Sequence, residues 1–238
     1  MQKIITYENL RSFAYSNDHL ILGKIRGIVL RFQGLGNGNT YGKDPAEALE
    51  YAQEGIVYVI PYNNPWCWMN AQAVSYTDEI VSVLRGRYGL GEDVKIVSTG
   101  QSMGGLGALV YMRYAQITPA ACVANCPVCD LVYHFTERED LPRTLYSAYA
   151  NDAGSLDEAL RAHSPLHLAD RMPPARYTVF HCCMDEAVNK QMHSDRFVEA
   201  MRKDHDITYI QVPLRGHCDL SPQALIQFRE AVLEAFEE

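Results

Sequence analysis

Short apolar runs rich in β-branched residues alternate along the chain with longer amphipathic stretches. The runs predict strands over residues 27–32, 55–61, 94–99, 120–124, 177–183 and 207–212. The amphipathic stretches predict helices over 45–53, 75–87, 104–114, 190–203 and 222–236. This alternation is typical of an α/β protein with a mostly parallel sheet and helices on both faces. The residues before position 27 are expected to add one or two antiparallel edge strands.

Residues 126–171 break the alternation, with several short helical or polar pieces in place of one crossover helix. Leu131, Phe135 and Tyr149 are among the residues that give this segment an apolar face. Two interpretations stay open: a small cap insertion over the site, or a pair of ordinary surface helices. In either case we expect residues 1–238 to form a single domain, since no repeat or linker divides them.

The most informative motif is Gly100-Gln101-Ser102-Met103-Gly104, between a predicted strand and a predicted helix. A strand that turns at once into a helix forces the residue between them into a strained backbone with positive φ. Glycines at positions 100 and 104 remove side chains that would collide in such a turn. The motif therefore predicts Ser102 as a nucleophile, although a plain turn would also fit the pattern.

A candidate acid and base follow in the order that a serine hydrolase of this topology needs. Asp185 comes just after the strand 177–183, and His217 lies in the loop beyond the strand 207–212. All three residues then fall at the carboxyl edge of the sheet, where ligands of open α/β sheets bind. Ser102 would attack, His217 would take its proton, and Asp185 would orient the imidazole.

Other residues compete for these roles. Asp130 follows the strand 120–124 and is the main rival acid, because some enzymes of this type take the acid from an earlier strand. Asp219 is too close in sequence to His217 to orient its ring easily. His181, inside a predicted strand, is interpreted as a packed core residue.

On these motifs the chain resembles the α/β-hydrolase superfamily, nearest to small serine esterases and the catalytic domain of prolyl oligopeptidase-like enzymes. Ser164-Pro165-Leu166, Asp185 followed by Val188, and Gly216-His217 also carry the resemblance. It implies the α/β-hydrolase fold over nearly the whole chain. One departure is that Gln33-Gly34 stands where many members have His-Gly after the first core strand.

The resemblance also implies an oxyanion hole made from two backbone N–H groups. The candidates are Met103, directly after the nucleophile, and Leu35 in the glycine-rich loop. Gly34 would let this loop approach a ligand closely, and Gln33 would either hold the loop or contact the substrate.

Two tryptophans, Trp66 and Trp68, lie in an asparagine-rich loop after the strand 55–61. Their rings could stack on a sugar or an aromatic acyl group while the asparagines donate hydrogen bonds. The alternative is that they anchor the loop to the core.

Composition and charge exclude several classes of partner. The chain is 47% hydrophobic with a net charge of −8, so it can bury a large core and offers no basic track for nucleic acid. No run approaches 18 apolar residues, and the first residues lack the regions of a signal peptide. We expect a cytoplasmic protein that binds neither nucleic acid nor membrane.

Seven cysteines in a chain without an export signal predict free thiols. The spacing of Cys126 and Cys129 occurs in zinc and redox sites, but no second such pair accompanies it. No metal site is therefore predicted. Cys218, beside the candidate base, could be reached by a thiol reagent.

Together these features predict a serine hydrolase that cleaves a small carboxylic ester through an acyl-enzyme intermediate, without metal or organic cofactor. An acetyl or hydroxycinnamoyl ester of a carbohydrate is the first expectation, from the aromatic and asparagine loop. A prolyl oligopeptidase-like peptidase, a thioesterase or acyltransferase, and a non-catalytic small-molecule-binding protein are the alternatives. A homo-oligomer is left open.

Overall fold

The computed structural model describes residues 4–237, which form a seven-stranded sheet flanked by helices. The strands are Ala14–Ser16 (β1), Gly27–Phe32 (β2), Ile56–Pro61 (β3), Lys95–Gln101 (β4), Ala121–Asn125 (β5), Arg176–Cys182 (β6) and Ile207–Val212 (β7). Their order in the sheet is β1-β3-β2-β4-β5-β6-β7. β1 is antiparallel to β3, and every other pair is parallel.

Helices connect these strands on both faces of the sheet. They are Ala46–Gln53 (α1), Ala71–Tyr88 (α2), Met103–Tyr114 (α3), Leu131–Glu137 (α4), Leu141–Tyr149 (α5), Leu156–Ala162 (α6), Pro165–Leu168 (α7), Arg196–Met201 (α8) and Pro222–Leu233 (α9). None of the helices within the described part of the chain is long and apolar enough to cross a membrane.

The central strands are buried on both faces, which explains their continuous apolar character. In β2, Ile28 and Leu30 point into one core with α2 and α3, and Val29 points into the other with α1 and α9. The predicted α/β-hydrolase fold, including the antiparallel edge strand, is confirmed.

Local signals explain where the elements differ from the sequence prediction. α2 begins at Ala71 rather than near position 75, because the Asn70 side chain caps it by accepting the N–H of Ala73 at 3.0 Å. The predicted helix 190–203 is shorter and begins with a π-helical turn, Gln191–Asp195, before α8.

The segment 126–171 contains α4 to α7 and is tied to the tryptophan loop. The Trp68 indole N–H donates to Thr144 Oγ1 at 3.1 Å, and the Tyr149 hydroxyl donates to the Trp68 carbonyl at 2.6 Å. The Asn70 amide donates to the carbonyl of Ala148 at 2.7 Å. α5 and the loop therefore hold each other in place, and the role of the segment as a cap stays a prediction.

The start of α3 packs directly against the ends of β2 and β4. A Cβ atom on Gly100 would lie 2.1 Å from the carbonyl oxygen of Gly104, and one on Gly104 would lie 2.2 Å from that of Phe32. Because backbone atoms cannot move aside as flexible side chains do, only glycine fits at these two positions.

We predict that Gly104→Ala lowers the free energy of unfolding by about 1–3 kcal/mol, because its methyl group collides with backbone. Gly107→Ala in the same helix is the matched control, since its Cβ would lie 3.4 Å from the Phe32 side chain, an ordinary contact. Urea denaturation followed by circular dichroism measures both. Equal stability of Gly104→Ala and the wild type would contradict this account of the turn.

Candidate active site

Ser102 lies at the junction of β4 and α3 with φ 58° and ψ −125°. This is the positive φ that the motif predicts. The N–H of Ser102 donates to the carbonyl of Asn125 at 3.0 Å, and its carbonyl accepts from Leu106 at 3.1 Å. The serine is thus fixed between β5 and α3 at the carboxyl edge of the sheet, where a ligand can approach it.

Asp185 and His217 come together although 32 residues separate them. His217 Nδ1 lies 2.7 Å from Asp185 Oδ2. The carboxylate side chain is fully buried and the imidazole is 29% exposed. The other carboxylate oxygen accepts the N–H groups of Ala187 and Val188, both at 2.9 Å, so the acid is held in one orientation.

His181 also contacts this carboxylate, which sequence reasoning missed. Its Nε2 lies 3.3 Å from Asp185 Oδ2, and its Nδ1 lies 2.6 Å from the hydroxyl of Ser194. The residue is fully buried, as expected for a core position. The contact could be anticipated only as a histidine four residues before the acid, because its direction depends on how the chain turns after β6.

These contacts shift the pKa values of the acid and the base in opposite directions. Burial alone would raise the pKa of Asp185, but hydrogen bonds from His181, His217 and the Val188 N–H outweigh it and hold the pKa well below its ordinary value. Burial alone would lower the pKa of His217, but Asp185 and Cys126 outweigh burial and raise it to about 9.

The far nitrogen of the imidazole faces thiols. His217 Nε2 lies 3.5 Å from Cys218 Sγ. Within residues 4–237, no hydrogen bond joins the Ser102 hydroxyl to His217. The structure therefore joins Asp185 to His217 and holds Ser102 separately in its turn at the end of β4.

Asp130, the rival acid, has other partners. One of its carboxylate oxygens accepts the N–H groups of Val132 and Tyr133 at the start of α4, both at 3.1 Å. The other oxygen pairs with Arg196 at 3.1 Å. Asp130 is therefore a helix cap with an ion-pair partner, and Asp185 is the carboxylate in contact with His217.

The glycine-rich loop lies against the first turn of α3, where Met103 is the first helical residue. Leu35 is in a turn in which the N–H of Asn37 donates to the carbonyl of Gly34 at 3.2 Å and Gly36 has φ 77°. Gln33 is buried, and its Oε1 has no hydrogen-bond partner in the described part of the chain. This acceptor lines a small cavity that Met103 also lines.

The two tryptophans have different environments. Trp66 is 49% exposed, whereas Trp68 is fully buried. The Trp68 ring packs edge-on against His134, and its N–H is bonded to Thr144. The expectation that Trp68 binds substrate is corrected, because a ring without exposed surface cannot stack on a ligand; it anchors the loop to α5.

A polar groove of about 270 Å³ runs beside the exposed tryptophan. Aromatic and amide side chains line it: Tyr62, Asn63, Asn64, Trp66, Asn70, Gln72, Tyr76 and Asn151. Asn63 and Asn64 also line the small cavity with Gln33 and Met103. The groove and the small cavity therefore share lining residues, and neither Ser102 nor His217 lines either of them.

A second cavity, of about 460 Å³, lies between α1 and α9 on the other face of the sheet. Arg31, Glu50 and Arg229 are among its lining residues, and Glu50 and Arg229 pair at 2.9 Å. Gly100, Gln101 and Asn125, which adjoin Ser102, also line this cavity, whereas Ser102 and His217 do not.

The cysteines are all free thiols. Cys126 and Cys218 both have positive φ, 45° and 60°, and their sulfur atoms and a nitrogen of His217 lie within 4.8 Å of one another. The hydrogen bond with Cys218 and burial raise the pKa of Cys126 far above its ordinary value.

Comparison with known proteins shows the fold and no more. No protein-family model matches the chain, and no curated protein matches it. Among solved structures, a puromycin-hydrolyzing peptidase of Mycobacterium tuberculosis superposes with a TM-score of 0.73 at 17% identity, over 90% of this chain and 34% of that one.

Two further peptidases are similar. An acylaminoacyl peptidase in complex with a chloromethyl ketone has a TM-score of 0.68 at 15% identity, over 91% of this chain and 37% of that one. Porphyromonas gingivalis dipeptidyl peptidase 4 has a TM-score of 0.67 at 15% identity, over 90% of this chain and 31% of that one. This chain thus spans about a third of the length of each similar structure.

We predict that Asp185→Asn brings the pKa of His217 from about 9 down to its ordinary value of 6.5 or below. The amide cannot stabilise the imidazolium, so burial of the ring is less opposed. Titration of the imidazole by nuclear magnetic resonance measures this. Asp130→Asn is the control and should leave the pKa of His217 unchanged. A pKa that falls in Asp130→Asn but not in Asp185→Asn would make Asp130 the acid.

Proposed function

We propose that this protein is a serine hydrolase in which Ser102 is the nucleophile, His217 the general base and Asp185 the orienting acid. The observation that carries the proposal is the 2.7 Å contact between Asp185 and His217, made at the edge where Ser102 lies in its strained turn. A serine hydroxyl is a weak nucleophile at neutral pH and needs such a base.

In the first half of the reaction His217 Nε2 takes the Ser102 proton while Oγ attacks the ester carbonyl. The imidazolium then gives the proton to the departing alcohol, leaving an acyl-enzyme. In the second half His217 takes a proton from water, which attacks the acyl carbon; the bond from this carbon to Ser102 Oγ then breaks, the imidazolium returns the proton to Oγ, and the acid is released. Asp185 stays ionised throughout and stabilises the imidazolium, in accord with its depressed pKa.

The negative charge that develops on the carbonyl oxygen is assigned to the backbone N–H groups of Met103 and Leu35. Met103 begins α3, so its N–H lacks a partner inside the helix and adds to the positive end of the helix dipole. Gly104 allows the loop to lie close to this helix end, since a Cβ there would lie 2.2 Å from the Phe32 carbonyl oxygen. Gln33 keeps the loop in place or contacts the substrate through its unpaired amide oxygen.

For the substrate we propose a carboxylic ester of a carbohydrate, with an acetyl or hydroxycinnamoyl acyl group. The support is the groove that presents Trp66, two tyrosines and several amides, and that shares Asn63 and Asn64 with the small cavity lined by Met103. Aromatic faces stack on the apolar faces of sugars, and amides bond to hydroxyl groups. A peptidase is the second candidate, favoured by the likeness of the fold to three peptidases.

The first test is covalent. We predict that a fluorophosphonate probe labels Ser102, and that Ser102→Ala abolishes both labelling and hydrolysis of p-nitrophenyl acetate. Asp185→Asn should lower kcat by about 10³–10⁴, because the wrong tautomer of the base is favoured.

Asp130→Asn is the matched control for the acid and should change kcat far less, with native folding of every variant checked by circular dichroism. Absence of labelling in folded wild type would favour a binding protein. Cleavage of aminoacyl p-nitroanilides in preference to esters would favour the peptidase.

The second test concerns the groove. Trp66→Ala should raise KM for an acetylated aryl glycoside by about tenfold, the loss of one aromatic contact of about 1–1.5 kcal/mol, while leaving turnover of p-nitrophenyl acetate similar. Tyr146→Ala is the control, because this tyrosine is also exposed but does not line the groove. Equal effects of Trp66→Ala on both substrates would contradict a sugar subsite.

A further inference from the structure

We propose that Cys126, His217 and Cys218 form a binding site for Zn²⁺, and that the bound ion blocks hydrolysis by occupying the nitrogen the base needs. The sulfur atoms of the two cysteines and a nitrogen of His217 lie within 4.8 Å of one another. The inhibitory half of the proposal rests on the proposed function of His217; the metal site itself does not.

The distance between Cys218 and His217 suits tetrahedral zinc. With Zn–S bonds of about 2.3 Å and a Zn–N bond of about 2.05 Å, neighbouring sulfur and nitrogen ligands stand about 3.6 Å apart and two sulfur ligands about 3.8 Å. Cys218 Sγ lies 3.5 Å from His217 Nε2. Two thiolates and one imidazole leave a fourth position for water, as in Cys₂His sites.

The tautomer of His217 is the one that a metal requires. Asp185 accepts a hydrogen bond from Nδ1 at 2.7 Å, so in the neutral imidazole the proton is on Nδ1 and the lone pair of Nε2 is directed at Cys218. A carboxylate behind a histidine ligand is the arrangement that orients such ligands in zinc proteins. The N–H of Cys182 lies 3.4 Å from Cys126 Sγ and donates to it, which partly opposes the burial and the Cys218 contact that raise the pKa of this thiol.

Two other clusters of potential metal ligands each contain a histidine whose nitrogen donates a hydrogen bond instead of offering a lone pair. They are His134-Glu137-His193 and Cys126-His181-Asp185. His193 Nδ1 accepts the N–H groups of Cys129 and Asp130, so its Nε2 carries the proton that is donated to Glu137. His181 Nε2 lies 3.3 Å from both the Val188 carbonyl and Asp185, so it too is a donor. Neither histidine offers a free lone pair there.

Coordination releases one proton from each thiol, and a further proton from Nε2 where the imidazole is charged. Each thiol loses its proton to solvent, and Zn²⁺ forms one bond to each sulfur and one to Nε2. A lone pair shared with zinc cannot accept the proton of Ser102. Metal binding and base catalysis at His217 therefore exclude each other, whereas Asp185 keeps its contact in both states.

Metal binding is tested first, without reference to activity. Under reducing conditions, Co²⁺ added to the full chain should give a thiolate-to-cobalt charge-transfer band at one ion per protein, and Zn²⁺ should displace it. Cys126→Ser and Cys218→Ser should each weaken Zn²⁺ binding by more than about 100-fold in competition with a chromogenic chelator. Asp185→Asn should weaken it by about 10–100-fold.

Matched controls separate this site from other thiols. Cys183→Ser replaces an exposed cysteine outside the cluster, and Cys129→Ala removes the partner that the sequence spacing would pair with Cys126. Both should keep the band. Ser102→Ala should keep it too, so the metal site can be confirmed even if the protein proves not to be a hydrolase.

Inhibition is measured next, as the decrease in the rate of ester hydrolysis when Zn²⁺ is added. The reference for each variant is its own rate in the presence of a metal chelator. Wild type and Cys183→Ser should be inhibited at the concentration that saturates the metal site, and Cys218→Ser should need at least about 100-fold more. Two results would overturn the proposal. One is a cobalt charge-transfer band that survives in both Cys126→Ser and Cys218→Ser. The other is ester hydrolysis by the wild type that does not change at a saturating concentration of Zn²⁺.

Discussion

The close approach of α3 to the ends of β2 and β4 is the constraint on which the site depends. A Cβ on Gly104 would lie 2.2 Å from the Phe32 carbonyl oxygen, so the helix can begin directly behind the sheet only because this side chain is absent. This contact places the first N–H groups of α3 beside the glycine-rich loop after β2. It also forces Ser102 into positive φ and out at the sheet edge.

A second organising feature is the buried carboxylate of Asp185, which four hydrogen-bonding groups surround. Two backbone N–H groups, His181 and His217 all contact it. A buried charge is tolerated only with such partners. The same contacts that keep the acid ionised raise the pKa of His217 and fix its tautomer. One tautomer thus serves both the proposed base and the proposed metal ligand.

Strained backbone gathers around this base. Ser102, Cys126 and Cys218 all have positive φ although none is glycine. Such conformations cost of order 1–3 kcal/mol each and persist where the surrounding structure imposes them. These residues directly follow β4, β5 and His217, and the sulfur atoms of Cys126 and Cys218 lie within 4.8 Å of a nitrogen of His217. The pairing of Cys126 with Cys218 follows from these turns and not from the spacing with Cys129.

The sequence by itself determined the order of strands and helices, the turn at Ser102 and the positions of Asp185 and His217 past strand ends. These features follow from local rules: apolar periodicity, the absence of a Cβ in tight turns, and the common edge of parallel strands. Tertiary structure alone decided that Trp68 is buried against α5, that His181 contacts Asp185, and that Nε2 of His217 faces thiols. Each of these depends on side-chain direction between segments far apart in the chain, which periodicity does not encode.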